Sequence, residues 1–175
     1  MKKNIWIAGL FLIMCLPTRS IYSIKVKPVE GGANISMSAY ANKKILITAI
    51  NAARPDIKML QLLDSLQRAD TSLRVVAVPA IDFGGEGNDA AIAALKDSLA
   101  LGFIITRPGN VKKNAGGSQH PLFKWLTDFG ENDHFDRDAE ATGQYFIINR
   151  NGMLYSVLVK DTPTNILRQV ISQEF

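Results

Sequence analysis

Few side chains in this 175-residue chain have the type and spacing to act as nucleophile, acid–base group or metal ligand. Its single cysteine, Cys15, lies in an apolar N-terminal run. If that run is removed on export, no thiolate nucleophile, disulfide or cysteine-ligated metal is open to the mature protein. The two histidines, His120 and His134, stand with Asp133, Asp136 and Asp138 as metal-ligand types. The segment from Asp133 to Asp138 lacks the glycine and terminal glutamate of a calcium loop, so it reads as a solvated acidic loop and no metal is expected. His120, before Pro121, reads as a capping or packing residue. Gly84-Gly85-Glu86-Gly87-Asn88 has the glycines of a phosphate cradle. It lacks a following Lys-Ser or Lys-Thr and any dinucleotide spacing, and a turn ending in a helix cap accounts for it. Ser118 and His120 are too close along the chain for a hydrolytic triad, and no Gly-x-Ser-x-Gly occurs. Residues 112–118 read as a solvated polar loop, and Trp125 and Phe129, at helical spacing, as core. No cofactor is expected.

The first residues read as an export signal. Lys2 and Lys3 precede an apolar run over residues 5–16, followed by Pro17 and Thr18-Arg19-Ser20. Cleavage is expected after Ser20, or as late as Ser23, with residues 21–175 forming one domain in the periplasm or outside the cell. The run of twelve residues falls short of the ~20 that span a bilayer, so the mature protein is expected to have no transmembrane span. Leu12-Ile13-Met14-Cys15 offers an alternative, a lipoprotein site with a lipid anchor at Cys15, although Met14 stands where such signals usually carry a small residue. Lys2, Lys3 and Arg19 leave with the leader and no acidic residue does, so 20 basic against 16 acidic residues becomes 17 against 16. That balance gives no footprint for nucleic acid.

The elements that must position any site follow from apolar periodicity. Residues 24–27 alternate, Glu30-Gly31-Gly32 turns the chain and residues 34–37 return, which predicts an opening hairpin. Residues 44–50 form a buried-type strand. Pro55 then suits the first position of a helix carrying Met59, Leu60, Leu62, Leu63 and Leu66 at spacings of three and four. Residues 73–78 predict a second buried strand, residues 88–100 a helix capped by Asn88 or Asp89, and residues 102–106 a short strand. A short helix beginning over residues 120–126 is expected to end at Gly130. Residues 144–149 and 153–159 flank Arg150-Asn151-Gly152 as a hairpin, and Thr162 and Pro163 cap and start a last helix reaching residue 173. The order predicts an α/β fold of thioredoxin type: a mixed central sheet, helices on both faces and an N-terminal β-hairpin.

Particular segments carry a family resemblance. Residues 76–86, VAVPAIDFGGE, resemble the strand and turn of glutathione peroxidases, typically a hydrophobic strand followed by PCNQFGGQ. Residues 118–126, SQHPLFKWL, look like that family's AHPLFKWL segment. Residues 146–152, FIINRNG, are similar to its FLIDRDG hairpin, and residues 21–40 to its opening hairpin and SLSDY-like link. The resemblance implies a glutathione peroxidase-like thioredoxin fold and, taken alone, hydroperoxide reduction in an oxidative stress response.

The same alignment replaces the residues that do that chemistry. The family's NVASKCG cysteine falls on Arg54, its thiolate-bonding glutamine on Asp82, and its Trp-Asn pair on Ala141 and Thr142, while Ala80 stands at the cysteine of PCNQ. A guanidinium is permanently protonated and has no lone pair to offer, and an oxidised methionine needs separate reductases for turnover. The expected function is therefore that of an exported, redox-inactive pseudo-peroxidase acting as a binding or scaffold module, with no catalytic residues. Under the family geometry Arg54 and Asp82 approach each other. They then form either a structural ion pair in a vacated pocket or, with the free amides of the helix start, a site for a small anionic ligand. A hydroperoxide-reducing enzyme and a small-ligand protein reusing the pocket are the alternatives, and the partner is an unidentified protein or a small anion.

Overall fold

A computed structural model describes residues 19–85 and 88–173. Most of the leader expected over residues 1–20 lies outside them, with Cys15, as do Glu86 and Gly87 of the glycine-rich turn. Strands β1 (Lys25–Val26) and β2 (Ile35–Ser36) form the antiparallel opening hairpin. Strands β3 (Lys44–Ile50), β4 (Leu73–Pro79), β5 (Ile104–Ile105), β6 (Tyr145–Ile148) and β7 (Leu154–Leu158) form one sheet in the order β5-β4-β3-β6-β7. The first three run parallel, and β6 and β7 join antiparallel to them. Helices α1 (Ile57–Ala69), α2 (Asp89–Ser98), α3 (Pro121–Thr127), α4 (Phe129–Asn132) and α5 (Thr164–Ser172) complete the domain.

The centre of the sheet explains its layers. All seven residues of β3 are buried, as an apolar run without alternation requires when both faces are covered. On one face Leu46 and Ile50 pack with Leu60, Leu63 and Leu66 of α1 and Leu167 and Ile171 of α5. On the other, Ile45 and Ile47 pack with Leu122, Phe123 and Leu126 of α3 and with Val26 and Met37 of the hairpin region. Phe123 and Phe135 both meet Phe146 edge to face, with ring centroids 5.6 and 6.1 Å apart. Lys44 is buried at the start of β3, and its Nζ donates to the Ile171 carbonyl at 2.6 Å, near the negative end of α5.

Several boundaries differ from expectation, each for a local reason. Helix α1 begins at Ile57 rather than Pro55, because Asp56 is the cap and its carboxylate accepts from Met59 N at 3.0 Å. Gly130 does not end a helix: Asp128 closes α3 and accepts from Gly130 N, which opens the one-turn α4. Phe129, placed there, is 52% exposed and is not core, whereas Trp125 is buried. Thr162 closes a turn onto the Val159 carbonyl instead of capping α5, and Pro163 holds the cap position. Helix α2 stops at Ser98, because Leu99 leaves helical geometry and Ala100 takes φ 48°.

Asn132 fixes the bend after α4. It is buried, its Nδ2 donates to the Trp125 and Phe135 carbonyls at 2.7 and 3.0 Å, and its Oδ1 accepts from the amides of His134 and Phe135, both at 2.7 Å. Asn132→Asp keeps the shape but turns a two-proton donor into an acceptor facing two carbonyls. It is expected to cost about 2–4 kcal/mol, read as a lower urea midpoint with an unchanged slope.

Candidate functional site

The parallel register brings the ends of β3 and β4 level, with Ile50 opposite Pro79. Two flanking bonds extend this alignment: Ala80 N donates to the Ile50 carbonyl at 2.9 Å, and Gly143 N to the Ala49 carbonyl at 2.8 Å. The turns after β3, after β4 and before β6 therefore emerge together. Asn51 joins the first two. Its Nδ2 donates to the Phe83 carbonyl at 3.0 Å and its Oδ1 accepts from Arg54 N at 2.9 Å, which shapes the loop leading into α1.

A cleft of about 400 Å³ opens beside this loop. Arg54, Asp56, Thr142, Tyr145, Lys160 and Asp161 line it. Gly143, with φ 82°, passes so close to its wall that a Cβ there would lie 3.2 Å from Lys160 Cγ and 3.3 Å from Met59 Sδ. Burial pushes the Tyr145 phenol pKa up, and the negative charges of Asp56 and Asp161 add to the effect. Among the described residues, neither Arg54 nor Lys160 forms an ion pair. The cleft thus presents two cations and two carboxylates whose charges are not cancelled by direct contact.

Arg54 and Thr142 therefore share one cleft, while Ala141 lines an adjoining one with Gln144 and Lys160. Asp82 belongs to neither. Its Oδ2 accepts from the amides of Val111 and Lys112, the second at 2.9 Å, and Lys112 Nζ sits 4.9 Å from the centroid of the Phe83 ring. Among the described residues Arg54 and Asp82 form neither the expected ion pair nor a hydrogen bond: the Asp82 carboxylate clasps the segment after β5, and Asn51 bridges the strand ends instead. Tyr145, Lys160 and Asp161 were not singled out in the sequence. Tyr145 begins a strand, and nothing local in Lys160-Asp161 distinguishes that pair from any polar turn.

The other candidates resolve structurally. His120 Nδ1 accepts from Leu122 N at 3.4 Å and caps α3. Its ring packs on Gly109, where a Cβ would come within 3.0 Å of Cδ2. His134 Nδ1 meets the Asn132 carbonyl at 2.8 Å. The acidic loop is not merely solvated, because Asp136 pairs with Lys113 and Asp138 accepts from the amides of Lys113 and Ala139, both at 2.9 Å. Nor is the 112–118 segment a free loop: residues Lys113–Ser118 take 3₁₀ turns under these bonds. Among the described residues no group of three or more His, Cys, Asp or Glu side chains is placed to hold a metal ion, and no helix is long and apolar enough to cross a membrane.

By sequence, no family profile matches the chain and no curated protein does. Its architecture does have counterparts. The structure of Trgpx in apo form superposes with a TM-score of 0.67 at 19% identity, over 88% of this chain and 94% of that one. GPX1 of T. cruzi superposes at 0.64 and 15% identity, over 87% and 94%. The chain has a glutathione peroxidase-like thioredoxin fold. The wider thioredoxin group is matched as well: a secreted Mycobacterium tuberculosis disulfide oxidoreductase superposes at 0.57 and 8% identity, over 86% of this chain and 96% of that one. Within this glutathione peroxidase-like fold, Arg54 stands in the turn leading from the central strand into the first long helix.

His120 makes the fold sensitive to acid. Burial pushes its pKa from 6.5 down to about 4, so between these values the unfolded chain binds the proton and the folded chain does not. Stability is complete above pH 6.5 and falls as the pH drops towards 4, by up to about 3 kcal/mol. His120→Asn keeps a capping oxygen that does not titrate. Its thermal midpoint is expected to vary less than that of the unmodified protein between pH 6.5 and 4.5.

Proposed function

We propose that this protein is a redox-inactive relative of the thiol peroxidases, exported and used as a binding module whose ligand is a small anion held in the Arg54 cleft. The observation that carries this reading is chemical. At the turn into α1, where the resemblance puts the attacking cysteine, the chain has Arg54, and its one cysteine lies at position 15. Reducing a hydroperoxide requires a donor of an electron pair to the O–O bond. Among the cleft side chains, Arg54, Lys160, two carboxylates, an amide, a hydroxyl and a protonated phenol offer no such donor at neutral pH, and the Met59 thioether, which can give up an electron pair once, stops at the sulfoxide without a separate reductase. Arg54 and Lys160 are what would hold an anion: neither is paired with a carboxylate among the described residues, while Asp56 caps the helix beside them and Asp161 sets which anions fit.

Export rests on the leader pattern, and cleavage after Ser20 fits the packing better than cleavage after Ser23. Ile21 is fully buried in the core, and Tyr22 lies against Gly152 while its hydroxyl donates to the Arg150 carbonyl at 3.0 Å. Cutting after Ser23 would remove both. N-terminal sequencing of the exported protein is expected to begin at Ile21.

Peroxide consumption by the purified protein, with glutathione or thioredoxin as reductant, is expected to stay at the buffer rate; enzymatic turnover would return the chain to the peroxidases. Calorimetric titration with acetate and with inorganic phosphate tests the cleft. Binding of one of them is expected to weaken about tenfold in Arg54→Ala. Equal or negligible heats in both proteins would remove the anion site.

A further inference from the structure

A wider opening than the one beside Arg54 lies elsewhere on the domain. A cleft of about 530 Å³ lies at the other end of β4, about 20 Å away along the strands. It exists because β5 is short. Its two residues pair with Val76 and Ala77, so β4 from Leu73 to Val75 has no neighbouring strand on that side. Bare strand edges normally invite pairing, yet here side chains occupy the edge groups: Gln67 Oε1 accepts from Val75 N at 2.8 Å, and Arg74 Nη1 donates to the Leu73 carbonyl at 2.7 Å. Another strand therefore has no ladder to extend at this point. What remains is the partly exposed carbon of Ile104 and the Tyr40 ring beside Arg74, on the sheet face away from α1, while Val75 and Phe103 border the cleft as buried core residues.

The polar groups at the rim have one sign. Arg68 is paired with Asp64 at 2.5 Å, but Asp64 does not line the cleft, and no carboxylate does. Arg74 is half-buried and has no carboxylate partner among the described residues. Its hydrogen bonds, to the Thr71 and Leu73 carbonyls, both come from Nη1, which leaves Nε and Nη2 as donors. The Tyr40 hydroxyl is a further donor at the same rim, close enough for the Arg74 charge to counter part of the rise that burial imposes on its pKa. A guanidinium edge above aliphatic and aromatic carbon suits a carboxylate attached to an apolar body, because neither half of such a ligand is left unpaired.

We propose that this cleft is a second binding site, for small carboxylates with an aryl or aliphatic body, in which Arg74 takes the carboxylate and Ile104 and the Tyr40 ring take the body. The site is independent of the Arg54 cleft. 3-Phenylpropionate is the probe, titrated into the full chain and followed by amide chemical shifts. Saturable shifts are expected at Val75, Gly102 and Ile104 and none at Gly143, which reports on the Arg54 cleft. Neutral 3-phenylpropanamide and inorganic phosphate should each bind about tenfold more weakly, since each lacks one half of the recognition. Arg74→Gln should weaken 3-phenylpropionate by about tenfold, and Arg54→Ala should leave it unchanged. Because Arg74 also covers a strand edge, Tyr40→Phe provides a second variant, expected to lose about threefold through its missing hydroxyl. Equal affinity for the amide or for phosphate, unchanged affinity in a folded Arg74→Gln or in Tyr40→Phe, shifts at Gly143 instead, or no saturation would each overturn the proposal.

Discussion

The parallel pairing of β3 with β4 over seven registers, from Lys44 opposite Leu73 to Ile50 opposite Pro79, governs everything placed around it. Both strands are covered on two faces, so a slip of one residue would exchange the helix α1 face for the helix α3 face along their whole length. That penalty locks the register, and the locked register sets two ends level. At one end the turns into α1 and after β4 leave together and are joined by Asn51. At the other, the short β5 leaves β4 uncovered where α1 and the 3₁₀ turn Met37–Tyr40 come near. Both clefts are consequences of one strand pair and of where its neighbours stop.

Chemistry at the first end is separable from folding. Arg54 is exposed, and its only hydrogen bond among the described residues uses its backbone amide. The cap of α1 belongs to Asp56 and the bridge between the turns to Asn51, so neither depends on which side chain stands at position 54. The side chain at position 54 can therefore vary without loss of a core contact. Asp82 is the opposite case, a side chain built into the fold, its carboxylate accepting two backbone amides.

How far the sequence foretold this differs by element. Strands β3 and β4 and the hairpin of β6 and β7 were readable because unbroken apolar runs and an Arg-Asn-Gly turn leave few alternatives. Helix starts were read less well. Proline and threonine are favourable at several adjacent positions, and only the side chain that reaches the free amide, Asp56 for α1, decides among them. The site was half legible. Arg54 and Thr142, named through the family resemblance, line one cleft, but the pairing of Arg54 with Asp82 is not formed, since alignment carries position and not the hydrogen bonds that draw Asp82 towards Val111. Lys160 and Asp161 reach the cleft through the turn after β7, a proximity that only the closed sheet creates.

The two clefts also differ in how their charge is held, and this bears on what each can discriminate. Around Arg54 both signs are present, so a ligand must suit carboxylates at Asp56 and Asp161 as well as cations, and the field between them falls off sharply with position. Along the β4 edge the lining carries only positive charge, and the carbon wall beside it rejects ions that keep their hydration shell. Selectivity at the first cleft is therefore a matter of charge arrangement, and at the second of the balance between an anionic head and an apolar body. One small domain can hold both because the sheet separates them by its full strand length, far enough for water and salt to screen either set of charges from the other.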